Sequence, residues 1–129
     1  MIEFPKCYVG SADKLQNPIK KQEHYNQFIS QGFDDTETYT LYQTIAKFIV
    51  PRLKRYREIN GTREENVNRK QVKSVSIILQ PEEAVKIDNM IIAFSYIAEE
   101  GYPVASDAMF PICQDALVNF SQLFPTLWW

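Results

Sequence analysis

The side chains able to do chemistry in this chain are unevenly spread. Residues 47–73 hold nine Lys and Arg against three Glu, a net +6, interleaved with Tyr56, Asn60, Asn66, Asn68 and Gln71. Such a segment suits phosphate, because Lys and Arg neutralise the backbone and release counterions while an aromatic ring can stack a base. The residues that would carry binding, to RNA or to a charged partner, are Arg52, Lys54, Arg55, Arg57, Arg63, Arg69, Lys70 and Lys73. The rest of the chain has the opposite sign: residues 1–46 sum to −2 and residues 74–129 to −6. The basic segment therefore has two further surfaces open to it, the acidic half of the same molecule and a second subunit.

Enzyme chemistry has less to work with. His24 is the only histidine and stands among polar neighbours, which fits a surface imidazole. Neither a Gly-rich phosphate loop nor a nucleophile elbow is present. Asp34, Asp35 and Glu37 are hard-metal ligand types, but a helix N-cap uses the same residues without metal. Cys7 and Cys113 are too few for a disulfide framework and fit no zinc spacing, which favours a reducing cytoplasm. No metal or cofactor is expected, and a cryptic enzyme would have to rest on carboxylates such as Glu83 or Asp88. The last residues, Trp128 and Trp129, either tuck under the fold or anchor a partner.

Positioning these groups falls to helices. With 129 residues, 45% apolar, the chain is expected to form one domain with a single core. The longest apolar run is too short to span a membrane, and residues 1–20 lack a signal-peptide layout. Residues 1–16 read as an extended arm. Asn17-Pro18 opens a weak helix with Ile19, Tyr25, Phe28 and Ile29 on its apolar face, closed by Gly32. Asp34 and Glu37 form a capping box for a helix predicted over about 35–59. Its apolar stripe would hold Leu41, Ile45, Phe48, Ile49, Tyr56 and Ile59, with a kink or division at Pro51 and Arg52 inside the stripe. Arg52 then either turns to solvent or a structural carboxylate, or anchors a phosphate or a partner's carboxylate.

Residues 60–79 read as a basic loop or weak helix, with a further capping box at Thr62 and Glu65. Val75–Leu79 allows a short strand beside Lys6–Val9. Pro81-Glu82-Glu83 opens a strong helix with Ala84, Ile87, Met90, Ile91, Phe94, Ile97 and Ala98 on one face, stopped at Gly101. The last helix places Ala105, Met109, Ile112, Ala116, Leu117, Phe120, Leu123 and Phe124 together, starting near Pro111 and ending at Pro125, before an apolar tail at 125–129. The expected fold is mainly α: a small bundle or orthogonal array of about four helices with room for a two-stranded β element.

Three blocks, GFDDTETYTLYQTIAKFIVPRLKRYR from Gly32, LQPEEAVKIDNMIIAF from Leu79 and LFPTLWW from Leu123, resemble a family of small uncharacterised tailed-bacteriophage proteins. The family's pattern has Thr and Trp where this chain has Gln80 and Ala84. The resemblance implies a phage or prophage origin and a helical fold, with no activity to transfer. Together with the charge pattern it leads to the expectation of a non-catalytic accessory protein in the host cytoplasm. Its expected partner is a host protein or ribonucleoprotein, best exemplified by antagonism of a CRISPR-type effector. The rival expectation is a self-associating virion or assembly component.

Overall fold

The computed structural model describes residues 2–68 and 78–127. Among these, five α-helices run in chain order as α1 (Pro18–Gln31), α2 (Leu41–Ile59), α3 (Arg63–Asn68), α4 (Pro81–Glu100) and α5 (Met109–Leu123). Short 3-10 turns occupy Ala12–Lys14, Asp35–Thr38 and Phe124–Thr126. The fold is a small, mainly α bundle in which α4 packs between α2 and α5. The described residues contain no strand. Leu79 makes one isolated parallel bridge with Thr62, and Lys6–Val9, the predicted strand partner, forms a turn closed by the Tyr8 N–H on the Pro5 carbonyl.

Helix α4 is the central element because its apolar residues cover a wide arc. Ala84, Ile87, Met90, Ala93, Phe94 and Ile97 are all buried, with the alanines allowing close approach. It begins with Pro81 at its first position, where the missing N–H costs nothing, and the Gln80 N–H donates to Glu83. From α5 come Cys113, Ala116 and Leu123, with Phe120 packed edge-on to Phe94. The buried line on α5 thus runs through Cys113, and Ile112, Leu117 and Phe124 lie outside it.

Helix α2 departs from the sequence expectation in two ways. First, the Asp34 box caps a 3-10 turn, and the chain breaks at Thr40 (φ 48°, left-handed) before the α-helix starts at Leu41. Pro51 lies inside one continuous helix, since its fixed φ suits helix and only a single backbone bond is lost. Second, the buried stripe is Ala46, Leu53 and the half-buried Ile49, Val50 and Tyr56, about one residue round from the predicted line. Leu41, Ile45 and Phe48 are 53%, 54% and 49% exposed. The small Ala46 side chain turns to the tightly packed α4, while the larger residues face away.

Residues 2–40 are organised differently. Helix α1 starts where expected, with Asn17 Oδ1 accepting from the Ile19 and Lys20 N–H groups, and ends at Gly32 (φ 90°). None of its residues is fully buried. Tyr25 and Phe28 join Phe4 and Tyr8 in a ring cluster with centroids 4.2–5.8 Å apart. The arm is fixed by a polar latch on Asp34, which is fully buried. Tyr8 Oη donates to Asp34 Oδ2 at 2.5 Å, and the Thr36 N–H and hydroxyl donate to Oδ1 at 2.8 and 2.5 Å. The Ser11 and Ala12 N–H groups then donate to Thr36 Oγ1 and Tyr8 Oη, both at 3.0 Å. Gly10 is demanded by this closeness, because a Cβ there would meet the Tyr8 and Thr36 hydroxyls.

Candidate functional site

The docked arm and helix α2 enclose three adjoining clefts, all lined in part by Val9. The first, about 470 Å³, is apolar and brings Phe33, Leu41, Ile45 and Phe48 to Val9. A narrow middle section of about 140 Å³ follows between Gly10, Thr36, Thr40, Thr44 and Lys47. The third, about 310 Å³, gathers Lys6, Lys14, Lys47 and Arg52 around a single carboxylate, Asp13. Gly10 and Lys47 are shared by the second and third clefts and Thr44 by the first and second, so the three form one groove, greasy at one end and basic at the other.

Local chemistry explains the basic end. Arg52 Nη1 donates to the Phe48 carbonyl at 2.7 Å, and its guanidinium carbon lies 3.7 Å from the Phe48 ring centre. Stacking of this kind holds an arginine in place without consuming its charge. Lys6, Lys14 and Lys47 make no ion pair among the described residues, and the α2 backbone and the latched arm set their positions.

The other sequence-nominated cations divide. Lys54 is exposed on α2, and Arg55 pairs locally with Glu58 at 3.0 Å, both largely in water. Arg57 turns inward with its side chain only 14% exposed. Its Nη atoms donate to both Glu65 oxygens at 2.8 Å, Nε donates to Asp88 Oδ1 at 2.9 Å, and Nη1 also reaches the Asn60 carbonyl. It therefore fastens the start of α3 and the side of α4 to α2, and its donors are committed to the fold. Glu65 completes the expected box with Thr62, and the Arg57 guanidinium holds its carboxyl down to about 2. Arg63 is exposed at the start of α3. Arg69, Lys70, Lys73, Trp128 and Trp129, like Val75–Ile77, lie outside the described residues.

The groups considered for catalysis have structural employment. Asp34 is the latch acceptor, and Glu37 accepts from the Asp34 N–H at 2.8 Å, with burial raising its carboxyl above the usual range. His24 Nδ1 lies 3.8 Å from Asp34 Oδ1, beyond hydrogen-bond reach. Glu83 caps α4 and Asp88 pairs with Arg57. The Cys113 thiol is buried and pushed up by desolvation. Among the described residues no group of His, Cys, Asp and Glu gathers for a metal, and no helix is long and apolar enough to cross a membrane.

Sequence reasoning missed Lys6, Lys14, Val9 and Phe33 as parts of one surface, since only the arm's docking brings them to α2. A usable signal was Tyr8 preceding the Asp34 box, an isolated phenol that a buried cap carboxylate can hold. Searches of family models, curated proteins and solved structures find no match to the chain, so function is read from residues and geometry.

Proposed function

We propose that the protein is a non-catalytic binding protein that engages a macromolecular partner through the groove between its N-terminal arm and α2. In the setting implied by the sequence resemblance, that partner is a host macromolecule and the protein a phage accessory factor, with a defence effector as the leading target. The observation that carries the reading is the groove itself. Large apolar side chains on the face of α2 turned away from α4 are left half in water, beside four clustered cations. Leaving such residues half exposed forgoes about half of the roughly 1.5–3 kcal/mol that full burial of each side chain supplies, and contiguous patches of this sort mark interaction sites.

Affinity capture from a bacterial lysate, with and without nuclease, tests the proposal. Wild-type protein is expected to retain a nuclease-resistant partner that Lys47→Glu/Arg52→Glu loses. Equal retention by the double variant would remove the groove from the function, and loss of the partner on RNase treatment would move binding to RNA. Light scattering of the purified protein checks self-association, the behaviour expected of a virion component.

A further inference from the structure

Resting on that reading, we propose that the groove recognises an acidic amphipathic segment of a protein partner, with apolar anchors in the greasy end and carboxylates over Lys6, Lys14, Lys47 and Arg52. Four features choose this occupant. The 470 Å³ end is lined by Val9, Leu41 and Ile45 as well as Phe33 and Phe48, and its one carboxylate, Glu37, accepts from the Asp34 N–H. Branched aliphatic walls accept Leu, Ile or Phe side chains, and the Phe48 ring already carries the Arg52 guanidinium on one face.

The basic end is continuous with the apolar one through Thr44 and Lys47, so one short segment can reach both. Four cations against Asp13 give that end a net +3, which complements carboxylates and repels basic sequences. Arg52 is held over the Phe48 ring with one donor on the Phe48 carbonyl, leaving N–H groups for a carboxylate at the junction of the two environments. The anchors supply affinity, and the charges set orientation and reject wrong partners.

Panning a display library of random peptides on the whole chain tests this directly. Enriched peptides are expected to combine Leu, Ile, Phe or Trp with several Asp or Glu. Fluorescence anisotropy with the best of them should show saturable binding that Ile45→Asp and Arg52→Glu each weaken about tenfold or more. Both positions are exposed, and unchanged melting temperatures confirm that the variants fold. Binding should also weaken from about 50 to about 200 mM salt.

Alkylation supplies the location. Cys7 is exposed in the basic cleft and Cys113 is buried, so bound peptide should slow modification of Cys7. Enrichment of basic or uncharged peptides, no enrichment, affinity indifferent to both substitutions, displacement by an RNA oligonucleotide, or a dimer broken by Ile45→Asp would each overturn the proposal. If lysate capture through the groove succeeds and panning fails, the acidic segment is wrong and the binding face stands. If capture itself is indifferent to the groove, the binding face falls too.

Discussion

Helix α4 buries six side chains among apolar neighbours, while α1 buries none and is tied down through two half-buried rings and the paired hydrogen bonds of Gln27 with Asp35. The bundle of α2, α4 and α5 is held by non-directional burial spread over many contacts, which no single change abolishes. Residues 2–40 are held by directional bonds converging on Asp34, and each depends on the others because an unsatisfied buried acceptor is costly. A region fastened at one point can open without the rest. The groove lies where these two kinds of structure meet, so its rigid wall is α2 and its adjustable wall is the arm.

Substitutions should separate the two regions. Met90→Ala empties the centre of the bundle and is expected to cost about 3 kcal/mol, read as a lower denaturant midpoint and as faster hydrogen exchange throughout the chain. Asp34→Ala removes the acceptor used by Tyr8 and Thr36 and is expected to cost about 2 kcal/mol. Its faster exchange should be confined to the Ser11, Ala12 and Thr36 amides and their neighbours, with α4 unchanged. Equal acceleration in α4 would show that the regions are one cooperative unit.

Acid distinguishes them by sign. Glu65 has a folded pKa lowered to about 2 by Arg57, so its contribution is present above the ordinary carboxylate range and fades as pH falls towards about 2. Glu37 in the latch region has a raised folded pKa, so its contribution is full at low pH and is lost as pH rises through that value. The Glu65 part is read against Arg57→Met: from about pH 6 to about pH 2 the wild-type melting temperature should drop further than the variant's. Because the Glu65 side chain is 40% exposed, solvent screening keeps the difference near or below about 1 kcal/mol. The smallest effect expected is a gain: Thr40→Gly relieves a β-branched residue at φ 48° and should raise stability by up to about 1 kcal/mol.

Much of the bundle was legible in the sequence. Asn17-Pro18, Pro81 and the glycines at 32 and 101 mark helix ends through local chemistry, and the structure places them there. The Thr62/Glu65 box is likewise local. What misled was the face of α2, where size and period favoured Leu41, Ile45 and Phe48. Close packing on α4 kept Ile49 and Tyr56 of the predicted stripe but added Ala46, Val50 and Leu53 in place of the larger residues, a choice that depends on the partner helix. Arg57, nominated for binding, is taken up by the fold for a similar reason, because Glu65 and Asp88 meet it only in the folded chain, whereas Arg52 stays exposed over a ring one turn earlier. The site was least legible, because half of it belongs to an arm whose sequence has no period and whose docking rests on the Phe4 and Tyr8 rings and on bonds to Asp34 and Thr36 far along the chain.

Site-specific photo-crosslinking puts the binding face to the most direct test. A photoreactive side chain replaces Ile45 in the groove or, in a second variant, Ile92 on the equally exposed outer face of α4. In the lysate used for affinity capture, adducts are expected from position 45 and not from 92, with the crosslinked partner peptide rich in Asp, Glu and large apolar residues. Adducts from 92 alone, or equal adducts from both positions, would contradict the account.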